Sequence, residues 1–210
     1  MSFTDPARAE RFFRQTGFFV DDDFLDPACC QHIRADSALN PGQPARVIRR
    51  RTGEQVVAPD KRRVESAEVP IAFRDPIRSR LLALQPAIEK HFKTALTGFE
   101  EPSLLHYGAG DFYRLHRDRS DDALGPEFFR RRVISAIAFL NSQAGELTAD
   151  SYCGGTLVFY GIVKGRGWEN YGFSFAGRAG LFIAFPADTM HEVQPVTAGR
   201  RSTLVTWYYR

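Results

Sequence analysis

Residues 179–209 read AGLFIAFPADTMHEVQPVTAGRRSTLVTWYY. Three apolar runs, at 181–185, 190–196 and 202–209, are separated by Pro-Ala-Asp and Thr-Ala-Gly. Each run is short for a helix and rich in β-branched and aromatic residues, so each reads as a strand closed by a turn. The same texture extends upstream to about residue 100, through SLLHYGAG, DFYRLHRD, RVISAIAFLN and GGTLVFYG. Many short strands with regular turns indicate a β-sandwich or barrel.

The first half has a different texture. Pro6 suits the first turn of a helix over 5–15, and GFFVDDDFL (17–25) reads as a strand and a turn. Asp26-Pro27 is a helix start, with Asp as the cap and Pro in the first turn. Residues 40–68, rich in Pro, Gly and charge, read as a hairpin or long loop of low order. Asp75-Pro76 opens a further helix whose apolar positions include Ile77, Leu81, Leu84, Ile88 and Phe92, with Pro86 as a kink. No linker divides the chain. The expectation is one α+β domain over 1–210: a helical support and basic loop at 1–98 packed on an all-β core at 99–210.

Bulk properties exclude several classes. Of 210 residues, 43% are apolar and 25% charged, as in ordinary globular proteins. A net charge of +3 does not by itself argue for nucleic acid. The basic excess is concentrated at 46–63, RVIRRRTGEQVVAPDKRR, which reads either as a solvated loop or as a lid over substrate. Three cysteines, Cys29, Cys30 and Cys153, form no disulfide framework and fit a reducing compartment. The N-terminus lacks the apolar core of a signal peptide, and no apolar stretch is long enough to span a membrane. A cytoplasmic protein is expected.

The chemistry-bearing residues lie in the β half. In FYRLHRD, strand alternation turns His116 and Asp118 to one face and Arg117 to the other. His191 follows a strand and is the natural third leg of a metal site. Two imidazoles and one carboxylate are the facial donor set of Fe(II) oxygenases. Against this, HxD triplets arise often by chance, and most histidines pack or face solvent; His32, His91 and His106 are read that way. The run from His191 to Trp207 adds a second signal. If the Thr-Ala-Gly turn makes a hairpin, then Arg201, Thr203, Val205 and Trp207 share a face beside the His191 strand. A guanidinium there suits the far carboxylate of a dicarboxylate whose keto-acid end chelates the metal. Alternation turns only one of Arg200 and Arg201 inward, and the bland alternative is that both sit in solvent at the turn.

These motifs, in this order, resemble the prolyl 4-hydroxylase-like branch of the Fe(II)/2-oxoglutarate dioxygenases. The matching residues are Tyr107-xx-Gly110-xx-Tyr113-xx-His116-x-Asp118, then Arg132 through Asn141, Gly154-Gly155-Thr156-Leu157, and His191-EVQPV-x-x-Gly199-x-Arg201 with Trp207. GFFVDDDFLDPACC looks like the family's entry segment, so the resemblance covers about 17–38 and 100–210. It implies a double-stranded β-helix, or distorted jelly roll, with supporting helices on one sheet. It implies Fe(II) held by His116, Asp118 and His191, and 2-oxoglutarate held by Arg201 with Tyr107 nearby. Ser135, Ile137 and Phe139 fall on the strand lining that pocket, where Phe139 replaces a tyrosine of some relatives and leaves Arg201 more of the recognition. The implied reaction consumes O2 and 2-oxoglutarate, with ascorbate as an accessory, and hydroxylates a prolyl residue or amino-acid-like substrate. The implied partners are a protein, a peptide or a small molecule. Two other readings stay open: a nucleic-acid demethylase of the same superfamily, for which a second downstream arginine is poorly met, and a non-enzymatic cupin-like metal-binding barrel.

Overall fold

A computed structural model of the chain describes residues 6–39, 42–48, 54–121, 126–168 and 170–210. Among the described residues the architecture is two facing antiparallel sheets with helices behind one of them. The larger sheet runs in the order Phe19–Asp21, Phe182–Pro186, Arg132–Phe139, Arg201–Tyr209, Ser103–Tyr107, Glu65–Glu68, Gln43–Pro44. The smaller runs Gly172–Phe175, Leu157–Tyr160, Met190–Val193, Phe112–His116, Arg62–Arg63. Ser142–Gln143, Ser151–Gly154 and Val196–Gly199 form a third, short sheet. This is the expected double-stranded β-helix.

Alternation along the central strands builds two cores. From Arg132–Phe139, Ile137 and Phe139 enter a cluster between the sheets, with Phe159, Phe173, Phe175 and Phe185. Ile134, Ala136 and Ala138 point the other way and meet Ile33, Ile77, Leu81 and Ile88 of the helices Pro27–Ala38 and Ile71–Phe92. The first of these helices is capped as its sequence suggests, Asp26 accepting from the Cys29 amide at 2.8 Å, a contact worth about 1 kcal/mol.

Four local expectations change. The long helix begins at Ile71 with Pro70 at its cap, not at Asp75-Pro76. Arg74 Nε donates to the Val69 carbonyl at 2.8 Å and the Phe73 amide to Pro70 at 2.9 Å, and these bonds secure a turn that local signals did not mark. Pro76 and Pro86 both lie inside the helix. The helix Pro6–Gln15 does not join the others behind the sheet: Phe13 is fully buried between the sheets, against Phe18, Phe159 and Phe175. Finally, the segment 40–68, read as a hairpin or long loop of low order, is tied into both sheets. Its strands at 43–44 and 65–68 extend the larger sheet and 62–63 the smaller, satisfying edge amides and carbonyls that would otherwise lie open. Within the basic segment, Val47–Ile48 pairs with Gln55–Val56, while 49–53 lies outside the described residues.

Candidate metal centre

His116 and His191 stand directly opposite each other on neighbouring strands of the smaller sheet. Paired residues share a face, and their rings lie 4.1 Å apart between centroids. Asp118 joins them by a different route from simple alternation. The strand ends at His116, and beyond it the amides of Asp118 and Arg119 both donate to the Ala187 carbonyl, at 3.0 and 2.9 Å. That carbonyl belongs to the turn leading into the His191 strand, so one bend fixes two corners of the site. Asp118 Oδ1 then lies 3.5 Å from His116 Nε2, and Oδ2 3.7 Å from His191 Nε2. Ser135 Oγ, on the opposite sheet, donates to Asp118 Oδ2 at 2.6 Å.

The proton positions follow from the partners. Nδ1 of His116 faces the Arg114 carbonyl at 2.8 Å, and Nδ1 of His191 faces the Thr189 carbonyl at 2.9 Å. A carbonyl only accepts, so each Nδ1 carries the hydrogen and each Nε2 offers a lone pair inward. Burial and the neighbouring His116 push the His191 pKa down to about 4, so it is neutral at pH 7. Burial works against the Asp118 carboxylate, yet His191, His116 and Ser135 together hold it far below the ordinary range. Two imidazole lone pairs and a carboxylate therefore converge, all within 4.8 Å of one another. Three acceptors without a donor between them make a cation site. The nitrogen and oxygen donors suit a ferrous ion.

Arg201 is 1% exposed and inward, as expected, while Arg200 is exposed and pairs with Glu65 at 2.9 Å. The expected hairpin is not there. The strand Val196–Gly199 pairs with Ser151–Gly154, and Arg201–Tyr209 lies in the larger sheet beside Tyr107. Arg201 thus belongs to the sheet facing the His191 strand. Its guanidinium carbon is 5.1 Å from the Tyr107 ring centroid and 5.4 Å from that of Phe139. Nη1 makes one long bond to Thr203 Oγ1 at 3.5 Å, while Nε and Nη2 are buried with no partner. An unpaired buried guanidinium costs several kcal/mol, so these donors point to an anion. Gly155 lets the side chain pass: a Cβ there would lie 3.1 Å from Arg201 Cδ, at a φ of +60°. Tyr107 is also buried, at 2% exposure, and burial raises its pKa against the pull of Arg62 and Arg201.

The sequence reading missed Tyr152. It is fully buried, and Arg201 lies within hydrogen-bonding reach of its hydroxyl. Its one sequence signal is its place in a strand just ahead of Gly154-Gly155. Its O–H is a further donor buried beside Arg201.

Comparison with known proteins agrees with this geometry. The family model described as 2OG-Fe(II) oxygenase superfamily matches residues 102–209. A PKHD-type hydroxylase of Sphingopyxis alaskensis is 34% identical over 106 residues, 50% of this chain and 42% of that protein. One of Burkholderia ambifaria is 31% identical over 131 residues, 60% and 52% respectively. The chain thus spans about half the length of these curated relatives. Among solved structures, a Pseudomonas putida prolyl-4-hydroxylase aligns with a TM-score of 0.68 at 20% identity, covering 98% of this chain and 99% of that one. A Trichoplax adhaerens prolyl hydroxylase, solved with a hypoxia-inducible factor peptide fragment, aligns with a TM-score of 0.61 at 18% identity, covering 97% and 91%. Since the family model covers just over half of the chain, including the triad and Arg201, the chain belongs to the 2OG-Fe(II) oxygenase superfamily.

Proposed function

We propose that this protein is a 2-oxoglutarate-dependent hydroxylase acting on a prolyl residue or an amino-acid-like substrate. The observation that carries the reading is the pairing, in one barrel, of a convergent His-His-carboxylate triad with a buried guanidinium that lacks an anion. A cation-binding scaffold needs only the first. A ferrous ion in the triad supplies the chemistry by which O2 and 2-oxoglutarate become succinate and CO2 while a substrate C–H becomes C–OH.

The chain's own residues bind, orient and shield. His116, Asp118 and His191 hold the metal, with the Arg114 and Thr189 carbonyls fixing the ring tautomers and Ser135 fixing the carboxylate. Arg201, helped by Tyr152, takes the far carboxylate of 2-oxoglutarate, and Tyr107 packs alongside. Phe159, Phe185 and Val193 exclude water from one side. Of the basic segment 46–63, we assign substrate contact to the described pair Val47–Ile48 and Gln55–Val56; deleting 47–56 should raise the substrate KM while leaving uncoupled 2-oxoglutarate turnover intact, and an unchanged KM would remove that role. PKHD-type and prolyl hydroxylase relatives, one of them solved with a peptide, support a peptide or amino-acid substrate. The deciding experiment is succinate release, with and without ascorbate, against a panel of prolyl peptides, free amino acids and cell lysate. Succinate above the uncoupled rate is expected with at least one class. No 2-oxoglutarate consumption under any condition contradicts the reading.

A further inference from the structure

The barrel holds a second cation that the proposed chemistry does not use. Arg62 lies on the edge strand of the smaller sheet, directly opposite Tyr113. It therefore shares Tyr113's face, with its guanidinium carbon 4.5 Å from that ring's centroid. Tyr113 in turn stacks on His116, centroids 3.5 Å apart and planes 18° off parallel. Arg62 is thus one ring removed from the metal triad, and it is also within hydrogen-bonding reach of the Tyr107 phenol, on which Arg201 acts as well.

What Arg62 lacks is an acid. Nη1 donates to the Arg46 carbonyl at 3.1 Å, and Nε is buried without a partner. Arg114 on the same edge is held in the same way, its Nε bonding the Asp60 carbonyl at 2.7 Å, whereas Arg63 pairs with the Asp111 carboxylate at 3.6 Å. Backbone carbonyls position the Arg62 and Arg114 guanidinia but do not neutralise them. Among the described residues, two other cations near the site have acids: Arg119 pairs with Asp121, and Arg132 with Glu100. Arg132 is engaged by Glu100 through two bonds of 2.6 Å. Asp118 and the keto-acid carboxylate of 2-oxoglutarate balance a ferrous ion, and the far carboxylate balances Arg201. Among the described residues Arg62 has no acid partner, and it lies one ring away from the triad.

We propose that Arg62 anchors a carboxylate of the substrate, which makes the substrate a prolyl or amino-acid-like molecule bearing an anion close to the carbon that is oxidised. This rests on the oxygenase reading. The carboxylate can come from a free α-carboxyl group or from an acidic side chain next to the target residue. It is bound through a charge-assisted contact to the Arg62 guanidinium, with the Tyr113 ring as the floor beneath it.

The test is a binding titration on the protein loaded with ferrous ion and 2-oxoglutarate in the absence of O2. Two matched pairs of probes separate the sources: proline against prolinamide, and acetyl-Glu-Pro-Gly-amide against its Gln counterpart. In the wild type, one carboxylate probe should bind at least about tenfold tighter than its carboxamide, as expected for a hydrogen bond to a charged group. Arg62→Met, which keeps the alkyl stem, should abolish that preference, so that the carboxylate binds no more tightly than its carboxamide. Arg62→Lys should restore part of it. Equal binding of carboxylate and carboxamide by the wild type overturns the proposal, as does an Arg62→Met variant that keeps the wild-type preference. Failure of the wild type to bind 2-oxoglutarate is a separate result. It strikes the oxygenase reading, while the probe pairs are still compared on the metal-loaded protein.

Discussion

At the scale of single residues, function hangs on donors and acceptors that have no partner within the protein. Arg201 has two buried nitrogens, Nε and Nη2, without a carboxylate, and the Tyr152 hydroxyl is buried beside it. Arg201→Met should weaken 2-oxoglutarate binding by roughly 10- to 100-fold, and Tyr152→Phe by a few-fold, consistent with charged and neutral hydrogen bonds; anaerobic calorimetric titration reads both. If Tyr152→Phe leaves the affinity unchanged, its hydroxyl is not a ligand. Ser135→Ala should lower Fe(II) affinity by about tenfold, because a carboxylate ligand without its fixing bond is free to rotate. His106 shows the opposite use of an orphan atom. It is 2% exposed, held through Nδ1 by Ser202 Oγ at 2.8 Å, and burial with the Arg200 charge lowers its pKa to about 4. The unfolded chain then binds more protons between pH 6.5 and 4, so stability is full above 6.5 and falls as pH drops through that window. The loss is roughly 3 kcal/mol, from 1.36 kcal/mol per pKa unit. In the metal-free protein His191 adds a parallel loss. Urea denaturation at pH 7.5 and 4.5 should show a His106→Gln variant with about half the wild-type pH dependence; an unaltered dependence would exclude the role.

Secondary-structure elements decide which of these residues meet. The helix Pro6–Gln15 places Phe13 at the centre of the phenylalanine cluster, with Phe175 at 4.9 Å and Phe18 at 5.1 Å between ring centroids. Phe13→Ala should cost about 3–5 kcal/mol, measured by chemical denaturation; a cost under 1 kcal/mol would mean the helix is an accessory. This role was not legible in the sequence, because the helix carries no signal saying which of two apolar layers it fills. Strand identity was legible, since runs such as RVISAIAFLN and STLVTWYY alternate between two apolar faces. Strand partners were not. Seven residues between Val193 and Arg201 are compatible with a hairpin, yet the chain crosses to the other sheet, and only contacts distant in sequence make that choice. The inward face of Arg201 was still correctly read, because alternation within a strand does not depend on its partner. Asp118 was placed with His116 by the same rule, although the Ala187 carbonyl, rather than a continuing strand, holds it there. Tyr152 escaped notice because one tyrosine in a strand looks like any other until its hydroxyl is seen to lie beside Arg201.

For the molecule as a whole, the two sheets divide the labour. The smaller sheet carries both imidazoles and Arg62, and the larger carries Arg201, Tyr107 and Ser135. The site exists only where they face each other, so binding should couple to global stability. Saturating metal and 2-oxoglutarate at about a hundredfold over their dissociation constants should each add roughly 2.7 kcal/mol to unfolding. No helix among the described residues is long and apolar enough to cross a membrane. The central claim, that one barrel binds both a ferrous ion and 2-oxoglutarate, is tested most directly by optical absorption without O2. Adding Fe(II) and 2-oxoglutarate together should produce a weak visible charge-transfer band that neither produces alone. The band should be absent in His191→Ala and should need far more 2-oxoglutarate in Arg201→Met. Absence of the band in the folded wild type, or its persistence in His191→Ala, would contradict the account.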